Sequence, residues 1–339
     1  MKRRIVIHAD KPLKLAGSKL EEDLLHYLSD EIIGVIDPKN AGKTTQQVLN
    51  CGGDIPITSS FDELIEYKPN YLLLGASSFR GEFPMEWYPM VIKALQMRVH
   101  ILNGLHQPLN KIVEFELLSQ KYKAKIYDLR HPGEKPLKFK GRVDALQSKR
   151  LFFASLNSGG VELPSMMESL KALHRQGISA DWIPTGMASN LIKGKGFIAE
   201  SLVSDLISGY LEGKIAELDQ KFQYIFIEGQ GYLRDPLRAG AFVSLLHGAR
   251  PDGIMLTAGL KNSKGRDELV ATVRDFQHLL RHIKKAPFVG LAFYAPLLKE
   301  SEKKEISETL QEELVMPVFD PYEGIPNKVV ERIKNIAKS

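Results

Sequence analysis

The feature that most constrains this chain is an alternation. Short apolar runs rich in β-branched and aromatic residues are separated by segments of helical period. Tyr224-Ile225-Phe226-Ile227 is the clearest run. It is too short for a helix and reads as a buried strand. It stops on Glu228, and Gly229, Gln230 and Gly231 follow. Leu245-Leu246-His247-Gly248 then leads through Pro251-Asp252 to a second run, Gly253-Ile254-Met255-Leu256. Ligands of open α/β sheets sit at the carboxyl ends of strands. A carboxylate there, beside glycines that admit a ligand close to the backbone, would hold a polar substrate or a metal–phosphate. A buried strand with an ordinary Gly-rich turn carries the same residues, so the stretch alone leaves both readings open.

The rest of the chain repeats the pattern. In the first part, Arg4–Ile7, Ile32–Ile36, Ile55–Ile57, Tyr71–Leu74, Val99–Asn103 and Lys125–Asp128 read as strands. Leu20–Leu28, Phe61–Glu66, Glu86–Gln96 and Ile112–Lys121 read as helices. Such alternation predicts a mainly parallel sheet with helices on both faces. Asp37 ends the second strand, where a Rossmann-like unit often holds a ribose hydroxyl. No G-x-G-x-x-G follows the first strand, where His8-Ala9-Asp10-Lys11-Pro12 stands instead, and this argues against dinucleotide binding. Gly42-Lys43-Thr44 resembles the tail of a phosphate-binding P-loop. The first glycine of that motif falls on Asp37, and Pro38 follows, so the usual cradle of backbone N–H groups is excluded. His106 follows a strand and is a candidate substrate contact, or equally a structural histidine.

His131–Gly141 is rich in Pro, Gly and Lys and reads as a basic linker. The expected division is 1–145, with the linker near 131–145, and 146–339. The second part opens with Arg150–Ala154 as a strand, then Ser155-Leu156-Asn157-Ser158-Gly159-Gly160-Val161-Glu162, then a helix over Ser165–Arg175. Strand, glycine-containing loop and helix form a P-loop frame. Glu162 stands where a lysine would meet phosphates, and its charge would repel them. Trp182–Gly186 reads as a strand and turn. Met187–Gly196 reads as a flexible cationic loop whose Lys193 and Lys195 suit an anionic ligand, or as a solvated loop. Helices are expected over Phe197–Leu211, Glu268–Ile283 and Glu300–Leu314, strands over Phe288–Phe293 and Val318–Asp320, and a polar loop over Lys261–Arg266.

Composition narrows the class. The chain has 339 residues, of which 43% are hydrophobic and 26% charged, which fits a two-domain globular protein. The net charge of +5 is modest and dispersed, apart from Lys121–Arg142, which reads as a solvated linker before a nucleic-acid surface. Cys51 is the single cysteine, so neither an intrachain disulfide nor a Cys-based zinc cluster can form, as suits a reducing cytoplasm. No apolar run approaches membrane-spanning length. Neither a nucleic acid nor a membrane is expected as partner, no metal site is read, and a homo-oligomer, a dimer by frequency, is the default.

Several segments together resemble the DgcN-like family, linked to D-glutamate N-acetyltransferase. They are Val35-Ile36-Asp37 with Ala41–Thr44, Gly104-Leu105-His106, Thr185-Gly186, Ile227–Gly231, Leu246-His247-Gly248 with Pro251-Asp252, and Pro317-Val318 with Asp320-Pro321. The resemblance implies a Rossmann-like N-terminal domain and a P-loop NTPase-like C-terminal domain similar to dethiobiotin synthetase, both with mainly parallel sheets. It implies transfer of an acetyl group from acetyl-CoA to the amine of D-glutamate. The family's loop, Gly-Thr-Asp-x-x-Val-Gly-Lys, aligns with Ser155–Glu162. Here Ser155 and Val161 replace its glycines, Asn157 its aspartate and Glu162 its lysine. A His-Glu pair expected after Leu256 is Thr257-Ala258-Gly259. Mg-ATP binding in the usual mode is therefore not expected.

Transfer to an amine needs a proton acceptor and donors for the developing oxyanion. Glu228 or His247 could take the proton. Ser155, Asn157, Ser158, Gly159, Gly160, Lys193 and Lys195 are the candidate contacts to the acyl donor. Thr185, Gly186, Gly229, Gln230, Gly231, Arg238 and His106 are the candidate contacts to the substrate. Two alternatives stay open: a non-catalytic relative acting as a binding or regulatory partner, and a nucleotide-binding P-loop protein.

Overall fold

In the computed structural model the described residues are 2–15, 17–75, 83–131, 137–260 and 265–336. The chain forms two compact units, Met1–Glu134 and Lys135–Ser339. The first unit contains β1 (Ile5–His8), α1 (Lys19–Tyr27), β2 (Ile32–Ile36), α2 (Thr45–Leu49), β3 (Ile57–Thr58) and β4 (Tyr71–Leu74). It continues with α3 (Tyr88–Gln96), β5 (His100–Asn103), α4 (Val113–Tyr122) and β6 (Ile126–Asp128). The strands pair in the order β3-β2-β1-β4-β5-β6, and every pair is parallel. This is the doubly wound Rossmann-like order that the alternation predicts. Val6, Leu72, Leu74 and Ile101 are fully buried, because helices cover a parallel sheet on both faces.

Asp37 is occupied by its own chain. It accepts from Leu13 N at 2.8 Å, Lys39 N at 3.1 Å and Asn40 Nδ2 at 2.7 Å, which fixes the turn after β2. Thr44 caps α2 in a reciprocal capping box with Gln47. The Gly42-Lys43-Thr44 tail thus leads into a five-residue helix.

The second unit contains β7 (Lys149–Ser155), α5 (Glu162–Arg175), β8 (Ala180–Ile183), α6 (Met187–Lys193), α7 (Ser204–Leu218), β9 (Tyr224–Tyr232) and α8 (Ala239–Ala249). It continues with β10 (Gly253–Gly259), α9 (Arg266–Ile283), β11 (Phe288–Tyr294), α10 (Glu300–Leu314), β12 (Val318–Phe319) and α11 (Asn327–Asn335). The order is β12-β11-β10-β7-β9-β8, again with parallel pairs. Phe152, Phe153, Ile225, Phe226, Ile227, Ile254, Met255 and Leu256 are fully buried on the three central strands. Each such side chain stabilises the fold by about 1.5–3 kcal/mol relative to exposure. At the amino end of the sheet, Arg150 donates to both carboxylate oxygens of Asp252 at 2.9 and 3.1 Å, and Lys284 adds a 2.6 Å contact. On α7, the fully buried Glu212 accepts from Lys140 N at 2.7 Å and Arg142 N at 2.5 Å, pinning the segment before β7.

Three expectations need correction. Met187–Gly196 is not a flexible loop: residues 187–193 form α6. Asn190 Nδ2 reaches Gly186 O at 2.7 Å and Phe197 O at 2.9 Å, so tertiary bonds hold a helix too short to persist on propensity alone. Phe197–Leu211 is not one helix. A 3₁₀ turn, Ala199–Ser201, precedes extended backbone at Leu202 and Val203, and α7 starts at Ser204. The helix after β7 starts at Glu162 rather than Ser165. In the expected polar loop over Lys261–Arg266, residues 261–264 lie outside the described ones, and Arg266 opens α9. Residues 132–136 of the expected linker are likewise outside them. Among the described residues no helix is long and apolar enough to cross a membrane.

Candidate functional site

The site forms in the second unit, at the carboxyl ends of β7, β9, β8 and β10. Its centre is Glu228. β9 delivers it through a register shift: Phe153 pairs with Glu228, and Ser155, two residues on, pairs with Tyr232, four residues on. Glu228-Gly229-Gln230-Gly231 therefore carries two extra residues and bulges, which re-aims the chain at the strand end. Both glycines are required. A Cβ on Gly229 would lie 2.4 Å from Phe153 O, and Gly231 has φ +75°.

The Glu228 carboxyl group is buried and held on one oxygen. Oε2 accepts from Thr185 N at 2.9 Å, Gly186 N at 3.0 Å and Ser189 Oγ at 2.5 Å. Thr185 Oγ1 donates to the Glu228 carbonyl at 2.7 Å. β8 and the first turn of α6 are thereby latched to β9. Burial pushes the Glu228 carboxyl above the usual carboxylate range; the three hydrogen bonds oppose this, and the nearby charge of Glu162 adds to it. Glu162, 6% exposed, is the first residue of α5.

Beside it runs the loop that replaces a phosphate cradle. Ser155 Oγ donates to Asn157 O at 2.7 Å, and Gly160 N to the same carbonyl at 3.2 Å. Asn157 Oδ1 accepts from Gly159 N and from Gly259 N, each at 3.1 Å, and Asn157 Nδ2 donates to Gly259 O at 2.7 Å. Gly159 N and Gly160 N are thus satisfied within the loop, which lies against β10. A Cβ on Gly159 would stand 2.9 Å from the Gly259 Cα, and one on Gly160 would overlap Ser155 Oγ at 1.7 Å. Ser158 is exposed at the loop tip.

The structure brings together Glu228, Thr185, Gly186, Gly229 and Gln230, whose side chain borders Gly186, with the Ser155–Gly160 loop adjoining them on β7. Within the second unit Arg238 adjoins this group, its Cβ 2.5 Å from where a Cβ on Gly231 would stand, whereas His247 and Lys193 are held elsewhere. His247 lies on the exposed face of the last turn of α8, which runs back from the carboxyl edge toward the start of β10. Eight residues of helix carry it about 12 Å from the first turn of α8, to the opposite edge from Glu228. Lys193 is committed to Asp181 Oδ1 at 2.5 Å and to the Trp182 carbonyl, with its ammonium 5.2 Å from the Trp182 ring. Burial lowers its pKa and the Asp181 hydrogen bond opposes that. Lys195 is exposed, with φ +62°. Arg238 pairs with Glu200 at 3.2 Å and with Asp235 at 3.9 Å. His106 is exposed after β5 in the first unit, where its carbonyl meets His131 Nε2 at 2.8 Å.

Ser189, Thr257 and Gly259 were not anticipated. Ser189 follows Gly186 by three residues, the spacing of a first helical turn, and recognising α6 would have exposed it. Thr257 and Gly259 act from a strand about a hundred residues away from the loop they touch, and no local pattern signals that.

Fold and site together define a class: a Rossmann-like unit followed by a unit of P-loop type whose phosphate loop is altered. The chain belongs to the DUF1611 family. That family's Rossmann-like domain of unknown function matches residues 38–132, and its P-loop domain of unknown function matches residues 165–330, beginning just past the altered loop. A D-glutamate N-acetyltransferase of Pseudoalteromonas sp is 26% identical over 269 residues, covering 77% of this chain and 80% of that protein. A D-glutamate N-acetyltransferase of Tritonibacter scottomollicae is 21% identical over 295 residues, covering 84% and 87%. The crystal structure of a DUF1611 family protein from Anabaena variabilis shares the fold with a TM-score of 0.85 at 23% identity, covering 98% of this chain and 99% of that one.

Proposed function

We propose that this chain transfers an acetyl group from acetyl-CoA to the amine of an acidic amino acid, with D-glutamate as the first acceptor to test. The observation that carries the proposal is Glu228: a buried carboxyl group at the bulge of β9, raised in pKa and locked on one oxygen. The names of the two relatives supply the substrate class. An amino acid reaches the site as its ammonium. Glu228 takes one proton, the free amine attacks the thioester carbonyl, the C–S bond breaks, and the sulfur leaves as the thiolate. A proton returned from Glu228 completes the thiol, and the amide nitrogen sheds its second proton to solvent. A carboxyl group whose pKa is raised by burial is a stronger base than a free one, which suits this exchange. Thr185, Gly186 and Ser189 position the base.

The loop geometry supports leaving triphosphate out of this reading. Gly159 N and Gly160 N are already bonded to Asn157, and Glu162 stands where a lysine would meet phosphate. This self-satisfied loop also favours a second reading, a non-catalytic relative that keeps the fold as a partner protein. Thermal melting with acetyl-CoA, followed by mass analysis of mixtures with D-glutamate and with L-glutamate, tests the choice. A ligand at about a hundred times its dissociation constant stabilises the fold by about 2.7 kcal/mol. N-acetylglutamate together with a melting shift supports the transferase. No shift and no product would leave the partner reading, and a shift with Mg-ATP alone would overturn the account of the loop.

A further inference from the structure

Asn157 occupies a place that a ligand would fill. Its Oδ1 receives two backbone N–H groups from different segments, Gly159 in the loop and Gly259 at the end of β10, both at 3.1 Å. Two amides aimed at one oxygen make a small anion-binding concavity. Here the guest is the chain's own side-chain amide.

A second observation points the same way. Thr257 is fully buried, and its Oγ1 has no hydrogen-bond partner. It precedes Gly259 by two residues on β10, so both face the same side of the sheet. The Cβ position of Gly160 lies 2.7 Å from Thr257 Oγ1, so the hydroxyl points at the plugged loop. Buried hydroxyls are almost always paired. An unpaired one beside a loop held by three Asn157 side-chain bonds marks a donor still open to a partner once the Asn157 side chain gives up its place.

We propose that Gly159 N, Gly259 N and Thr257 Oγ1 form a carboxylate-binding site that Asn157 plugs in the ligand-free protein. A carboxylate oxygen outcompetes an amide oxygen because hydrogen bonds to an ionised acceptor are about twice as strong. The guest is a carboxylate rather than a phosphate chain for two reasons. The backbones of Gly159 and Gly259 are in contact, which leaves a slot for a single oxygen. Glu162, at the first residue of α5, removes the cation that a polyphosphate would need. Carboxylate capture is independent of acetyl transfer and is measured by binding alone.

The test titrates glutarate, inorganic phosphate and pyrophosphate into the full chain and into Asn157→Ala, Asn157→Asp and Asn157→Ala/Thr257→Val. Removing the plug raises the binding-competent fraction, so Asn157→Ala binds glutarate about tenfold tighter or more. Asn157→Asp places a permanent carboxylate in the slot and binds glutarate about tenfold weaker, by the same population argument. Adding Thr257→Val to Asn157→Ala removes most of the gain. A merely structural asparagine would weaken binding in both single variants, and that result would overturn the proposal. So would pyrophosphate binding tighter than glutarate, or no glutarate binding by any form. If Asn157→Ala does not fold, Asn157→Ser, which also vacates the slot, decides: tighter glutarate binding supports the plug, and binding equal to or weaker than the unaltered chain refutes it. Tighter glutarate binding without acetyl transfer would uphold this site while refuting the transferase.

Discussion

Replacing Glu228 by alanine and by glutamine separates its charge from its hydrogen bonds. In Glu228→Ala three donors lose Oε2. Two have a second acceptor: Ser189 Oγ can donate to Gly186 O at 3.0 Å, and Gly186 N to Ser189 Oγ at 3.1 Å. Thr185 N keeps none among the described residues. One buried unsatisfied donor costs about 1–3 kcal/mol. The void left by the side chain adds about 1 kcal/mol or more. The sum is about 3 kcal/mol, or a fall of about 6–12 °C in Tm for a domain of this size. Glutamine presents an oxygen to the same donors and stays neutral. Its effect therefore depends on pH. The folded-state pKa of Glu228 is raised above the unfolded value, so the stability it contributes is fully present below the unfolded pKa and is lost as pH rises through the folded one. Glu228→Gln should match the unaltered chain near pH 5 and melt above it by pH 8. Urea unfolding of the three proteins at several pH values reads this directly. Equal stability of the alanine variant, a glutamine variant that falls as far as alanine, or a difference that ignores pH would refute the reasoning.

Three further outcomes follow from the same structure. Arg150→Met removes two of the bonds to Asp252 at the amino end of the sheet while Lys284 still compensates its charge, and should cost about 1–3 kcal/mol in urea unfolding. Gly229→Ala drives a methyl to 2.4 Å from the Phe153 carbonyl, so it should lower Tm and acetyl transfer together through the bulge. His247→Ala, exposed at the far end of α8, should leave transfer within about twofold and stability within about 0.5 kcal/mol.

Much of this was legible because burial on both faces of a parallel sheet demands unbroken apolar runs. Tyr224–Ile227 and Gly253–Leu256 announce their strands for that reason, but Glu228 does not end its own: β9 continues through the bulge to Tyr232, which the glycines concealed. Asn157 was legible as a loop residue but not as a plug, since its partner Gly259 lies far along the chain. His247 misled because a strand–helix order says which residues are near in sequence, not which end of the helix faces the ligand edge. Met187–Lys193 hid as a loop because its helix is fixed by Asn190 and Ser189, whose bonds reach Phe197 and Glu228. α11 was missed although Val329, Val330 and Ile333 bury one face. At nine residues its pattern is brief.

The central claim is that Glu228 exchanges the proton in acetyl transfer. Release of the CoA thiol by the unaltered chain and by Glu228→Gln, at saturating acetyl-CoA and D-glutamate, tests it most directly. General-base catalysis contributes about 10²–10⁴-fold, so the variant should lose at least about a hundredfold in kcat while keeping its fold. Equal rates in the two proteins, or no thiol release from the unaltered chain, would contradict the account.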